Sequence, residues 1–513
     1  MKRNIRLDQC IAILRIVLLS ILVLTSISSG YYSSLLLPSA NASTYVPTLS
    51  YNTDEGTPSI ISDLTLKVEE VVIGLDLPTT MAFLGPNDIL VLEKNKGTVQ
   101  RIINGTMLPE PLLDVNVATS VERCMCGIAA VSKKSSNIGS TYVFLYFTEA
   151  QVTDSEDVIQ GKDPLGNRLY RYDLDNNNNK LINPVLLLDL PGTPGPRHNG
   201  GAIMVGPDNN IYVPIGDVDG SGMGEASQTK AQNYVNGIEP DGRSGILRIT
   251  QDGRPVGTSG AAGGVGSSSS GGGIIGDSYP LNLYYAYGIR NSFGFDFDPV
   301  TGKLWDTENG PGDGPGEGDE INLVEPGFNS GWQEVHGMAS IAIAADNNND
   351  INPNDDLVDF EGKGKYSDPE FAWIETVGPT ALKFLNSDNK LGIQYVNDMF
   401  VGDVHNGNIY HFDLNEARTD LILGGGLLAD KVADSDSELE EAGGGAGIIF
   451  GKGFGGITDL EVGPDGYFYV VSIGKGAIYR IVPGVNDVDR SIIDKDDEQG
   501  NNDYDIGSED DDE

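Results

Sequence analysis

The strongest constraint on this chain is a hairpin that recurs. Four stretches carry it: M-A-F-L-G-P-N-D-I-L-V-L (81–92), G-A-I-M-V-G-P-D-N-N-I-Y-V (201–213), F-G-F-D-F-D-P-V-T-G-K-L-W (293–305) and L-E-V-G-P-D-G-Y-F-Y-V (460–470). In each, an apolar run enters a turn of Gly, Pro, Asp or Asn and returns as a second apolar run. Gly and Pro supply the backbone angles of a tight turn, and β-branched and aromatic residues favour the strands on either side. A third run often follows and ends near a basic residue, as at Arg101, Arg248 and Arg480. Such a unit cannot bury its faces alone and must stack on its copies. Stacked around an axis, the copies form a β-propeller, which leaves few exposed edges.

Between residues 67 and 483 no long stretch keeps a helical period. Short apolar runs such as Tyr142–Phe147 and Tyr467–Val471 recur instead, bounded by turn residues. The expected fold is all-β, a six-bladed β-propeller with long inter-blade loops over 67–483. An array of β-sandwiches is the alternative. Three stretches read as insertions: Gly/Ser-rich 257–276, Asp/Asn-rich 345–359, and 434–446, which runs from acidic residues into glycines.

The two ends differ from this middle. Lys2, Arg3 and Arg6 precede an apolar run from Ile16 to Ile27, and Ala40-Asn41-Ala42 resembles a cleavage site. Residues 1–42 therefore read as a signal peptide or an N-terminal anchor, and the rest is expected to be exported, extracellular or at the cell surface. Asn104-Gly105-Thr106 would then be a glycosylation acceptor. Residues 43–66 read as a polar linker. Residues 484–513 are dominated by Asp and Glu and read as a disordered acidic tail.

Charge excludes whole classes of partner. The chain has 75 acidic and 33 basic side chains, a net charge of −42. A nucleic-acid partner needs a basic face, and so does polybasic membrane binding; neither is expected. Of three cysteines, Cys10 lies in the leader. Cys124 and Cys126 make neither a disulfide framework nor a zinc site, and read as partly buried small hydrophobes, with a strained bridge or a redox role as the alternative.

Two clusters carry candidate chemistry. His198, one of four histidines, sits in P-G-P-R-H-N-G-G (194–201), where an accessible imidazole can act as a general base. Residues 308–324 offer carbonyls at Gly310 and Pro311 and carboxylates at Asp313, Glu317, Asp319 and Glu320. Hard oxygen donors crowded on a loop suit Ca²⁺.

The order of these clusters resembles the glucose/sorbosone dehydrogenase family, from about Leu75 to Ile481. The resemblance rests on L-P-T-T-M-A-F (77–83), H-N-G-G (198–201), V-G-P-D (205–208), I-G-D (215–217), Y-G-I-R-N (287–291), E-N-G-P (308–311), D-E-I-N (319–322), N-S-G-W (329–332) and the T-D-L-E-V-G-P-D-G strand near the end. It implies a soluble six-bladed propeller that oxidises the anomeric hydroxyl of aldoses to lactones with pyrroloquinoline quinone (PQQ) and Ca²⁺, passing electrons to an external acceptor. It implies that His198 is the catalytic base and that Arg290 stabilises charge on the reduced cofactor. Glu122, Arg290, Asn291, His405 and Thr458 would contact the cofactor, Asp217 the sugar. Gly310 and Pro311, with Asp319 and Glu320 beside them, would hold the metal. Glucose-specific members place a lysine and two arginines where this chain has His405, Gly456 and Thr458. Arg197 replaces an acidic residue beside the base. Two other readings stay open: a non-catalytic extracellular propeller that binds carbohydrate or protein, and a Ca²⁺-dependent hydrolase such as a lactonase.

Overall fold

The run Tyr142–Phe147 shows how packing shapes the sequence. It lies in the strand Thr141–Glu149. Val143, Leu145 and Phe147 pack with Leu90, Leu92 and Val99 of the preceding sheet. Phe144 and Tyr146 pack with Ile211, Val213 and Ile215 of the following one. Successive side chains of a strand point to opposite faces, so a strand between two sheets must be apolar on both.

The computed structural model describes residues 56–132, 141–220, 227–257, 272–345, 351–424, 426–441 and 447–484. Their strands form six sheets of four to six strands. The innermost strands are Pro78–Gly85, Met125–Ser132, Met204–Val205 backed by Ile211–Ile215, Ser292–Phe297, Pro379–Phe384 and Ile457–Val462. Each contacts the next, and the last contacts the first, so they surround an axis. The fold is an all-β propeller. It closes by pairing the early strand Leu66–Ile73 with the final strand Ala477–Pro483, Val68 opposite Ile481 and Glu69 opposite Arg480. This pairing covers edges that would otherwise be open.

The recurring basic residue has a structural job. Arg101 lies opposite Leu90 and pairs with Asp88 of the turn at 2.6 Å. Arg248 and Arg480 face Asp208 and Asp465 of their own turns at 3.6 and 3.9 Å. Those two aspartates also accept hydrogen bonds from Tyr212 and Tyr469, four residues on. The third strand of the unit is thereby tied to its turn.

Two stretches read from the sequence as linker and insertion take partly defined structure. The linker 43–66 is not free along its whole length: Ser59–Ile60 pairs with Ile449–Lys452, and Ile60 is buried. An apolar side chain at the sheet edge anchors it. The acidic patch within 434–446 is helical over Asp436–Glu441. Leu439 is buried there, and Glu438 accepts a hydrogen bond from the Asp434 backbone N–H. The leader, residues 43–55 of the linker and the tail beyond 484 lie outside the described residues, as do 258–271, 346–350 and 442–446. No described helix is long and apolar enough to cross a membrane.

Candidate active site

Chain segments entering the inner strands converge at one end of the axis around a cavity of ≈ 310 Å³. His198 lines it. Its backbone φ is +58°, an uncommon left-handed setting for a non-glycine residue. Three contacts hold it there. The His198 N–H donates to Glu122 Oε2 at 2.6 Å, and the Arg197 N–H to Asp219 Oδ2 at 2.9 Å. Tyr146 Oη donates to the Asn199 carbonyl at 2.7 Å. Arg123 braces the start of the loop through the carbonyls of Gly192 and Gly195. Gly216 permits the close approach, since a Cβ there would fall 2.1 Å from the Arg290 carbonyl oxygen and 2.8 Å from His198 Cβ.

Asp217 does not reach the cavity. It is fully buried behind His198, with Oδ1 2.5 Å from His198 Nδ1 and Oδ2 accepting from Trp332 Nε1 at 3.0 Å. Burial alone would raise its pKa. The bond to His198, that residue's charge, Arg290 and Trp332 outweigh it and hold Asp217 below the usual carboxylate value. An ionised Asp217 keeps the imidazole proton on Nδ1 and leaves Nε2 as an acceptor. The expected sugar contact at Asp217 is thus corrected: both its oxygens are spent inside the protein.

Arg290, Asn291 and Glu122 line the same cavity. Arg290 Nη1 donates to the Asn309 carbonyl at 2.7 Å, and its Nε has no partner. Burial lowers the Arg290 pKa from its ordinary value, against the pull of Asp217, Glu122 and Glu308. Asn291 Nδ2 donates to Glu122 Oε2 at 3.2 Å while its Oδ1 is buried and unpartnered. Buried polar atoms without partners are rare, and here two belong to neighbouring residues that line one cavity.

The acidic loop divides by strand alternation. Gly310 and Pro311 line the cavity, and their carbonyls accept no hydrogen bond from any described residue. Asp319 also lines it, but its oxygens are occupied: Oδ1 accepts from Gly310 N–H at 2.8 Å, Oδ2 from Val377 and Gly378 N–H at 2.7 Å each. Asp319 therefore ties two walls together, and burial raises its pKa to about 6 against those three donors. Asp313 is spent on Thr376, and Glu320 points away. The expected metal roles of Asp319 and Glu320 in this cavity are corrected on these grounds.

Glu320 instead joins a second buried group with Glu308 and His336, whose ligating atoms lie within 4.8 Å of one another. His336 Nδ1 stands 3.2 Å from Glu320 Oε1, and neither ring nitrogen completes a hydrogen bond. Burial pushes Glu320 up to about 7, Glu308 well above its ordinary value, and His336 down to about 3. This donor set could hold a cation behind Arg290, since the Arg290 N–H donates to Glu308 Oε1 at 2.5 Å.

His405 and Thr458 also line the cavity. His405 Nδ1 lies 3.2 Å from the Thr376 carbonyl, and Thr458 Oγ1 donates to the Pro78 carbonyl. Two more cations line the cavity: Arg197, noted from the sequence beside the base, and Lys94, which the sequence reading missed. Arg197 lines the mouth, and Lys94 lies deeper, donating to the Val121 and Arg123 carbonyls at 3.0 Å each. Burial lowers the Lys94 pKa to about 8. The E-K dipeptide ending a strand was the available signal. Cys124 also lines the wall. Cys124 and Cys126 are buried as expected, but they are disulfide-bonded rather than free. Their Cα atoms, 5.1 Å apart, fall within bridging distance.

Comparison with known proteins places this geometry. The family model described as Glucose / Sorbosone dehydrogenase matches residues 75–480. An uncharacterised protein of Synechocystis is 24% identical over 420 residues, 79% of this chain and 84% of that protein. Quinoprotein glucose dehydrogenase B of Acinetobacter calcoaceticus is 31% identical over 175 residues, 33% of this chain and 32% of that one. The PQQ-bound aldose sugar dehydrogenase of Streptomyces coelicolor superposes with a TM-score of 0.52 at 20% identity, over 83% of this chain and 99% of that one.

Proposed function

The chain belongs to the glucose/sorbosone dehydrogenase family, and from that premise we propose that it is an exported, PQQ- and Ca²⁺-dependent aldose dehydrogenase whose six sheets are six propeller blades. One observation carries the reading. His198, backed by Asp217 and with no described partner at Nε2, lines one cavity with Arg290 and Asn291, whose Nε and Oδ1 are buried without partners, and with Gly310 and Pro311, whose carbonyls accept no hydrogen bond from any described residue.

The residues fit the groups proposed. PQQ is a tricarboxylate, and Lys94, Arg290 and His405 line the cavity as cations or groups able to become so. The Gly310 and Pro311 carbonyls suit Ca²⁺, which prefers oxygen donors and would complete its shell from the cofactor and water. Bound there, PQQ would supply a hydride acceptor for C1 of the sugar and Ca²⁺ a polarising charge.

The chain's own residues do the rest. His198 Nε2 takes the proton of the anomeric hydroxyl, and Asp217 stabilises the resulting imidazolium across 2.5 Å. Arg290 places a fixed positive charge where negative charge develops, with no reorganisation because Asn309 already holds it. Glu122 positions both the base loop and Asn291 through one oxygen. The test is dye reduction by purified protein loaded with PQQ and Ca²⁺ across a panel of aldoses. Absence of turnover on every sugar, with PQQ shown to be bound, would reject the reading.

A further inference from the structure

In this acidic chain a guanidinium normally has a carboxylate partner. Of the eleven arginines in the described residues, eight do: Arg101, Arg123, Arg168, Arg171, Arg243, Arg248, Arg418 and Arg480. The exceptions are Arg197, Arg254 and Arg290, and two of these line the same cavity. Arg290 is half-buried and spends one nitrogen on Asn309. Arg197 is exposed at the mouth, and no described residue meets its head group.

Its backbone is not free. The Arg197 N–H donates to Asp219 Oδ2 at 2.9 Å, and its carbonyl accepts from Asn199 Nδ2 at 3.1 Å. The next residue is the base. A clamped backbone with a free fork, adjacent in the chain to His198, presents charge to whatever enters from solution. The net charge of −42 does not cancel this, because charges farther than about 8 Å are largely screened at physiological ionic strength.

We propose that Arg197 is a specificity residue that selects aldoses carrying a carboxylate, the sugar acids of the uronic type. The inference rests on reading the cavity as an aldose-oxidising site. His198 acts at C1. In a uronic acid the carboxylate sits on C5, the carbon flanking the ring oxygen on the other side from C1, so the acid is selected where a ring with C1 at the base brings C5 toward the guanidinium. The guanidinium fork matches a carboxylate in two parallel hydrogen bonds, which a neutral hydroxymethyl cannot reproduce.

The experiment compares glucuronate with glucuronamide, its neutral near-isostere, and with glucose, on protein loaded with PQQ and Ca²⁺. The parent is expected to favour the acid, and Arg197→Gln to cut the acid-to-amide ratio of kcat/KM by roughly 10–100-fold. Arg197→Lys should fall between them. The KM for glucuronate should rise with salt while that for glucose does not. A parallel titration follows PQQ binding to cofactor-free parent and Arg197→Gln, where equal affinity is expected. Turnover of aldoses with no preference for the acid overturns the inference alone. So does an equal loss on all three sugars, or a loss of PQQ affinity that accounts for the loss of turnover. No turnover of any aldose removes the aldose-oxidase reading and this inference with it.

Discussion

The same inner strands open at both ends of the axis, and the two ends treat charge in opposite ways. At the candidate site, Arg290 Nε and Asn291 Oδ1 lack partners and Arg197 faces no carboxylate. At the other end lies a cavity of ≈ 840 Å³ with walls that include Phe83, Met204 and Phe297. Three of its charged groups satisfy one another: Lys383 lies 2.9 Å from Glu461 and 3.4 Å from Asp296, and Asp296 also accepts the Phe384 N–H. Burial alone would lower the Lys383 pKa, but Asp296 and Glu461 raise it instead. Polar groups left open by the protein await something else; polar groups closed on each other hold the fold. Substitutions at the first end should therefore change chemistry, and at the second, stability.

The largest effect expected is at the base. His198→Gln should lower turnover by roughly 10²–10⁴-fold with little change in melting temperature, because His198 is the imidazole that Asp217 backs and so stabilises once protonated. Asp217→Asn should also cost turnover heavily, since an amide neither stabilises the imidazolium nor enforces the Nδ1 proton. Turnover and thermal melts on both variants, at saturating PQQ and Ca²⁺, check this. A variant that melts early but turns over normally would move His198 to the structural side of the comparison.

The opposite end should give the opposite result. Lys383→Met leaves Asp296 and Glu461 without their cation, and losing one partner of a largely buried pair costs about 3 kcal/mol or more. Denaturant melts should show that loss, while activity per folded molecule stays at the parent level. Reduced activity in the folded fraction would mean that the two ends communicate.

A third test lies between the ends, in the strand Leu304–Glu308. Asp306 is fully buried; burial pushes its pKa up to about 7, with Ser292 opposing and Glu320 adding. In the unfolded chain it titrates near 3.8. The folded state thus binds the extra proton between those values, and its stability falls as pH rises from about 4 to 7. The group contributes a penalty above pH 7 on the order of 2–4 kcal/mol. Asp306→Asn should flatten that slope and be the more stable protein at pH 8. Unchanged slopes in pH-dependent melts would place the titration elsewhere.

The fold was legible because its repeat is chemical as well as apolar: turn aspartates and third-strand arginines recur because they pair. The loops were legible because residues such as His198, Arg290, Gly310 and Pro311 sit in short motifs, and each motif precedes an inner strand or lies beside one. What sequence reading missed is depth and direction. Asp217 reads as a polar loop residue, and only its burial reveals it as the partner of His198. Asp319 and Glu320 are neighbours in the strand Asp319–Val324, so they face opposite sides and cannot serve one ion. That rule was available from sequence once the strand was assigned. Lys94 sits in another sheet from the base, and no local pattern links them.

The smallest effect expected comes from Cys124 and Cys126, which belong to the open end by position. Cys124 lines the cavity, and both residues are buried. Yet the bridge spans a sequence separation of only 2. Closing so short a loop removes little freedom from the unfolded chain, about 1.5 kcal/mol by the loop-entropy account. The strand start is held independently: Thr79 Oγ1 donates to the Met125 carbonyl and Thr80 Oγ1 to the Cys126 carbonyl, at 2.8 Å each. The double variant Cys124→Ser/Cys126→Ser should therefore fold, lose about that much stability, and bind PQQ with parent affinity. A much larger loss of PQQ affinity than of stability would place the sulfur pair among the groups that meet the cofactor, and would extend the open end of the axis from polar atoms to the sulfurs beside them.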